Sequence, residues 1–221
     1  MSQNRPTNDR DVVSELTTGR LSVYLRCLTY LESNGQQTVS SAELAERFHL
    51  NSAQIRKDLA CFGEFGTRGV GYNVSRLKEH LVRELGIDRG RNVVIVGAGN
   101  LGMALADYRG FNDNGFRIAA LIDVDPGKIG RTSRTGIPVV AYSELKRICR
   151  EQNVEIGIIA VTAQAAQEVY DSLVEAGLNA ILNFAPMQLR TDNHVKLKSV
   201  DLRINLESLS FYLKSVEDGT T

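Results

Sequence analysis

Residues 93–108 read VVIVGAGNLGMALADY. An apolar β-branched run, Val93–Val96, leads into Gly97, Gly99 and Gly102 and then into a stretch of helical character. Each glycine has a separate task in a strand–G-x-G-x-x-G–helix unit. The first allows a tight turn, the second lets the main chain approach a pyrophosphate, and the third lets helix and strand pack closely. The phosphates would then rest against the positive end of the helix. Twenty-one residues after Gly102, at the end of the next apolar run, stands Asp123 in LIDVDP. A carboxylate there accepts hydrogen bonds from ribose hydroxyls and repels a 2′-phosphate, which favours NADH and NAD⁺ over their phosphorylated forms.

A hydride-transferring enzyme also needs a group that moves a proton, commonly a histidine or a Tyr-x-x-x-Lys pair. His49 and His80 fall in the helical first part of the chain and His194 in a polar turn. Tyr142 and Lys146 do have the right spacing, but Tyr142 precedes an expected Ser143 helix cap, and enzymes using this pair carry a different glycine spacing, G-x-x-x-G-x-G. We assign no catalytic residue and no metal ligand. Cys27, Cys61 and Cys149 are far apart and read as reduced, partly buried side chains. The expectation is a protein that binds the cofactor without chemistry.

The elements that must position these residues change character along the chain. Leu21, Leu25 and Leu28 mark a helix over 18–33, ended by Asn34-Gly35. Ser40-Ser41-Ala42-Glu43 is a capping box that opens a second helix. Asn51 caps a third helix expected over 52–62. The stretch FGTRGVGYNV (65–74) suits a tight hairpin, a fourth helix covers 75–85, and 87–91 reads as a linker. From Asn92 onward strands are expected at 93–96, 118–122, 137–140, 156–161 and 180–184. Helices are expected at 101–108, 143–151, 163–176 and 202–214. Apolar strands joined by helical crossovers argue for a parallel sheet covered on both faces.

Charge is balanced overall, with 26 basic and 26 acidic residues, but not locally. Between Arg47 and Arg83, seven basic residues (Arg47, Arg56, Lys57, Arg68, Arg76, Lys78, Arg83) face three acidic ones (Asp58, Glu64, Glu79), a local excess of four. In the third helix, at about 100° per residue, Leu59 and Phe62 share a face with Ile55. Ala53, Lys57 and Ala60 point the other way, with Arg56 and Cys61 on the shoulders. A basic outer face lined with small residues can enter a major groove and present Arg or Lys to base edges. The hairpin would act as a wing, with Arg68 and the glycine-exposed amides near phosphates and Tyr72 bracing or touching the backbone.

The blocks NSAQIRKDLACFGEFGTRGVGYNV, VGAGNLGMALADY, DVDPGKIG and ILNFAP, in this order, closely resemble the Rex family of bacterial redox-sensing transcriptional repressors. The likeness runs from roughly residue 18 to 215. It implies an α/β protein with an N-terminal winged-helix domain, a Rossmann-like parallel-sheet domain and a C-terminal domain-swapped helix. It implies a homodimer that binds palindromic double-stranded operator DNA and is released by NADH, with NAD⁺ competing for the site but permitting DNA binding. The genes under control would be those of fermentation and anaerobic respiration. Residue by residue, it places DNA contacts at Ser52, Arg56, Lys57, Arg68, Gly69, Gly71 and Tyr72. Cofactor contacts fall at Gly97, Ala98, Gly99, Asn100, Leu101, Gly102, Asp123, Val161, Thr162, Asn183, Phe184, Ala185 and Pro186. A switch would join Arg26, Tyr108 and Asp201, the Asp201 of one subunit exchanging between Tyr108 and the other subunit's Arg26. Thr162 and Leu202 depart from the family pattern, where many members have proline and some an aromatic residue, and either change could retune cofactor preference.

The resulting domain plan is a disordered 1–17, a winged-helix domain over 18–88, a cofactor domain over 91–200 and a swapped dimerisation helix over 201–216. Leu202, Leu206, Leu209 and Leu213 form a stripe on that last helix, with Ile204, Phe211 and Tyr212 outside it, a pattern that wants burial on two sides. Hydrophobic residues make up 43% of the chain, yet no run is long enough to cross a bilayer and the polar start lacks a signal peptide's apolar middle, so a cytoplasmic protein is expected, with no membrane partner. Two other readings rank below this one. One is a small oxidoreductase using Tyr142 and Lys146. The other is a nucleotide-binding regulatory domain joined to a protein-interaction module, since related Rossmann domains also hold coenzyme A.

Overall fold

The computed structural model describes residues 15–67 and 69–217. The chain divides into two compact units, the first ending at Arg89 and the second beginning at Gly90. In the first unit, α1 (Glu15–Ser33) buries Leu21, Tyr24, Leu25, Leu28 and Leu31 along one face. The rest comprises β1 (Thr38–Val39), α2 (Ser41–Phe48), α3 (Ser52–Ala60), β2 (Gly66–Thr67), β3 (Gly71–Asn73) and α4 (Val74–Glu84). The strands form a small antiparallel sheet in the order β1-β3-β2. This is a winged helix. The Ser40 capping box is complete, with the Glu43 amide donating to Ser40 Oγ at 3.1 Å and the Ser40 amide donating to Glu43 Oε2 at 2.6 Å. His49 takes the left-handed conformation (φ 55°) that closes α2, and Asn51 caps α3.

The second unit is a six-stranded, wholly parallel sheet in the order β6-β5-β4-β7-β8-β9. Its strands are β4 (Arg91–Val96), β5 (Phe116–Asp123), β6 (Val139–Ala141), β7 (Val154–Ile159), β8 (Ala180–Asn183) and β9 (Lys196–Ser199). The crossovers carry α5 (Asn100–Ala106), a short α6 (Arg109–Asn112), α7 (Leu145–Glu151) and α8 (Ala163–Glu175), and α9 (Leu202–Glu217) ends the described chain. Two-residue alternation sends Val93 and Ile95 of β4 to one face and Val94 and Val96 to the other. The first pair packs with Ile118, Leu121 and Ala106, the second with Ile122, Leu145, Val169 and Leu173. Both faces are therefore covered, as the continuous apolar runs require.

Several boundaries differ from the sequence expectations. α1 begins at Glu15, within the stretch expected to be disordered, and residues 1–14 of that stretch lie outside the described residues. α3 ends at Ala60, leaving Cys61 and Phe62 in a turn. Ser143 does not cap a helix: Tyr142–Glu144 form a 3₁₀ turn and α7 starts at Leu145 without a side-chain cap. The third strand of the second unit lies two residues later than expected, because Pro138 sits in a bridge with Thr132 ahead of it. β9, of sequence KLKS, is a strand that the sequence expectations do not include. It is an edge strand, where exposed lysines are compatible with pairing on one side only. Of the three thiols, Cys27 and Cys149 are buried and Cys61 is exposed.

Candidate nucleotide site and nucleic-acid interface

The chain runs from β4 outward to β5 and β6, then returns to the other side of β4 as β7. Where the direction reverses, the ends of β4 and β7 leave a crevice, the place where doubly wound sheets bind ligands. Gly97 stands at this point with φ +107°, and a Cβ on it would lie 2.3 Å from the Ala160 carbonyl oxygen. Gly102 is held under the turn, since a Cβ there would meet the Gly97 carbonyl at 1.8 Å. A Cβ on Gly99 would meet nothing within 4 Å. That open main chain is where a phosphate can come close, and it is followed by exposed Asn100 and Leu101 at the start of α5. Ala98 is buried beside it.

Asp123 ends β5, 8% exposed, and is already engaged. Its Oδ2 accepts from the Ala98 amide at 2.7 Å and from Lys128 Nζ at 3.1 Å, and its Oδ1 from the Asp125 amide at 2.9 Å. Burial pushes this carboxyl up, but the two amides and Lys128 outweigh it and hold it below the ordinary value. The carboxylate thus stays charged and also ties the glycine loop to β5. An apolar cavity of about 140 Å³ opens beside it, lined by Val96, Ile122, Val161, Ala165 and Val169, with Tyr142 and Glu168 also on its wall. A flat ring of nucleobase type could enter from the Asp123 side.

Across the crevice, Val161 is half-buried and Thr162 exposed at the start of α8. The ILNFAP loop is built around Asn183, which is fully buried. Its Nδ2 donates to the carbonyls of Ala185 at 3.1 Å and Met187 at 3.3 Å and to Ser199 Oγ at 3.3 Å, while its Oδ1 accepts from the Ala185 amide at 2.9 Å. With its polar atoms so occupied, Asn183 shapes the loop, which leaves Phe184 half-buried, Ala185 buried and Pro186 exposed. The Tyr-x-x-x-Lys pair is tied elsewhere. Tyr142 donates to Ser172 Oγ at 2.8 Å and Lys146 pairs with Glu175 at 2.9 Å, two separate anchors on α8. Among the described residues there is no group of three or more His, Cys, Asp or Glu side chains able to hold a metal ion.

In the first unit, Ile55 and Leu59 of α3 are buried, and Ala53, Arg56, Lys57 and Ala60 are exposed. Arg56 Nη1 donates to Ser41 Oγ at 2.9 Å, Lys57 extends from the outer face, and Ser52 is half-buried at the helix start. A groove runs between α3 and the wing, lined by Ser41, Arg56, Thr67, Gly69, Gly71 and Tyr72. Gly71 (φ +94°) passes so close to β1 that a Cβ would lie 2.6 Å from the Val39 carbonyl oxygen. Tyr72 is half-buried against Gly66, a brace at the wing's base. Burial raises its hydroxyl above the ordinary tyrosine range despite nearby Arg56. Arg68 lies outside the described residues.

One feature of α3 escaped the sequence reading. Asp58, 2% exposed, accepts a bidentate contact from Arg20 (Nε at 2.5 Å, Nη2 at 2.7 Å), a bond from the Tyr24 hydroxyl at 2.8 Å and one from Gln54 Nε2 at 2.7 Å. The available signal was Arg20 and Tyr24 one turn apart on α1, matched to an acid beside the apolar face of α3. Of the expected switch residues, Arg26 is exposed on α1. Tyr108 is exposed, its ring edge-on to Phe111 with centroids 5.1 Å apart, and Asp201 Oδ1 accepts from the Arg203 amide at 2.9 Å at the start of α9.

A winged helix followed on one chain by a doubly wound sheet with a glycine-rich turn defines a class: a DNA-binding-type module joined to a nucleotide-binding-type module. Comparisons with known proteins agree with both halves. Residues 12–60 match a family described as putative DNA-binding protein N-terminus, and residues 88–187 match one described as CoA binding domain. The redox-sensing transcriptional repressor Rex of Carboxydothermus hydrogenoformans is 51% identical over 202 residues, covering 91% of this chain and 97% of that one. A crystal structure of RSP in complex with β-NAD⁺ and operator DNA is 36% identical, with a TM-score of 0.88 over 95% of this chain and 98% of that one. RSP in complex with β-NADH gives 35% identity and a TM-score of 0.83 over 93% and 96%. The chain belongs to the Rex family of redox-sensing transcriptional repressors.

Proposed function

We propose that this chain works as a homodimer that holds palindromic operator DNA when the ratio of NADH to NAD⁺ is low and lets go when NADH binds, controlling fermentative and respiratory genes from the cytoplasm. The observation that carries the reading is the pairing of an open, ion-braced glycine loop at the switch point with a basic, small-residue helix face beside a glycine wing. One relative, RSP, at 35–36% identity and solved with β-NAD⁺ and operator DNA and with β-NADH, supports it. In this reading Gly97–Gly102, Asp123, Val161, Thr162 and Phe184–Pro186 line the cofactor, with Asn183 beneath. Ser52, Arg56, Lys57, Arg68, Gly69, Gly71 and Tyr72 face DNA. Residues 18–88 form the DNA-binding domain, 91–200 the cofactor domain, and 201–216 a helix swapped into the partner subunit. Among the described residues no helix is long and apolar enough to cross a membrane.

NADH and NAD⁺ differ by one hydride, in ring charge and planarity. A ligand moves an equilibrium only by its differential affinity for the two states. NADH must therefore prefer the dimer that cannot hold DNA, and DNA must weaken NADH reciprocally, typically by about 1–3 kcal/mol. Arg26, Tyr108 and Asp201 are the residues proposed to report the change. Coenzyme A fits less well, because it carries a phosphate on the adenosine ribose and the Asp123 carboxylate stands where that ribose would lie.

The test is retention of sheared genomic DNA by the purified protein with NAD⁺, NADH or coenzyme A added. Discrete palindromic fragments held with NAD⁺ and shed with NADH, but not with coenzyme A, are expected. Equal retention in all three, or none in any, would overturn the sensor reading.

A further inference from the structure

We propose that Asp58 is a positioning residue for sequence readout, holding α3 at one rotation about its own axis through the polar cluster it forms with Arg20, Tyr24 and Gln54. The proposal rests on the DNA-binding reading of α3.

Two apolar side chains, Ile55 and Leu59, bury α3 in its unit. They are one turn apart, and apolar burial is non-directional, so by themselves they resist lifting the helix far more than rolling it. Rolling matters for what lies on the other side. Arg56 and Lys57 stand on the exposed face, and Asp58 follows them directly in the chain. Phosphate contacts tolerate a small roll, because a point charge near a phosphate is attracted from many directions. Base-edge contacts do not, because they carry the sequence information through fixed hydrogen-bond geometry.

The cluster supplies the missing direction. Arg20 grips both carboxylate oxygens, at 2.5 and 2.7 Å, in the fork geometry that only a guanidinium provides. The Tyr24 hydroxyl adds a bond to Oδ2 at 2.8 Å and Gln54 one to Oδ1 at 2.7 Å. Arg20 is itself steadied by Thr17 Oγ1 at 3.2 Å. Arg20 and Tyr24 belong to α1, whereas Gln54 belongs to α3, so the carboxylate is fixed from its own helix and from its neighbour. A buried ion pair is weak evidence for stability, and apolar residues of similar volume can often replace one without loss. Directional hold is what such a replacement would remove.

The experiment separates these roles. Wild type, Asp58→Asn, and the combined apolar replacement Arg20→Met, Tyr24→Phe, Asp58→Leu are compared for affinity to an operator fragment and to a random fragment of the same length. NADH affinity and circular dichroism are recorded alongside. We expect both variants to remain folded, to bind NADH as wild type does, and to hold the random fragment nearly unchanged. The ratio of operator to random affinity should fall by about tenfold or more, the discrimination carried by roughly one base pair. A variant that keeps the wild-type ratio overturns the role of Asp58. So does parallel loss of both affinities in both variants, which would make the cluster a support of the fold. Wild type that shows no preference for any fragment would instead overturn the DNA-binding reading itself.

Discussion

Asp123 holds three donors at once. Its oxygens hold the Ala98 and Asp125 amides and Lys128, so it secures the glycine loop before any ligand arrives. Removing it should therefore weaken cofactor binding both by loss of the proposed ribose acceptor and by slackening the turn. Asp123→Ala is expected to lower NADH affinity at least tenfold by titration calorimetry while the operator is still held in the absence of cofactor, and an unchanged NADH affinity would remove Asp123 from the site. A carboxylate at the end of β5, at that distance from the glycines, was legible in the sequence. That Lys128 and two amides share it was not, because those bonds depend on how the loops after β4 and β5 come together.

At the scale of elements, α9 is the outlier. Leu206, Leu209, Phe211 and Leu213 are each between 59% and 68% exposed in the single chain, a larger apolar surface than a helix in water keeps uncovered. A second copy of this chain is the proposed cover. Leu209→Asp with Leu213→Asp should convert a dimer to a monomer in light scattering at micromolar concentration. A wild-type protein already monomeric there would sink the swapped-helix assignment. The stripe itself was readable from leucine spacing, as were α1 and its buried face. The edge strand β9 was not, since KLKS has no apolar alternation and pairs only because β8 offers it a partner. The switch-point crevice likewise follows from strand order, which a list of elements does not contain.

At the scale of the whole molecule, acid is expected to loosen both units by the same means. In the second, Asp107 is half-buried, and the loss of water around its side chain pushes its carboxyl up. The Thr135 amide, Arg134 and the Ser133 and Thr135 hydroxyls more than offset this and bring it down to about 2. In the first, burial likewise raises Asp58, and Arg20, Tyr24 and Gln54 take it below its ordinary value. A carboxyl lower in the folded than in the unfolded state, where Asp titrates near about 3.9, stabilises fully above that value and loses its contribution as pH falls through the folded one. The urea midpoint of the cofactor-free protein should thus be flat from pH 7 to 5 and drop below about pH 4, with Asp107→Asn shrinking the drop. A midpoint falling already between pH 7 and 5 would place the acid sensitivity in other groups.

The sequence by itself determined what local rules can carry. A glycine with positive φ, a capping box spanning four residues and an apolar stripe at helical spacing are each settled within a turn or two of chain, and Gly97, Ser40 and the α1 leucines were all readable for that reason. The same local record, in its order, was enough to show the resemblance to one family. Tertiary structure alone decided the polar interior: Asp58 meets Tyr24 and Arg20 across 34 and 38 residues of chain, and Asn183 meets Ser199 across 16. A buried charge is stable only with partners in place, and those partners are brought together by packing that no spacing along the chain records.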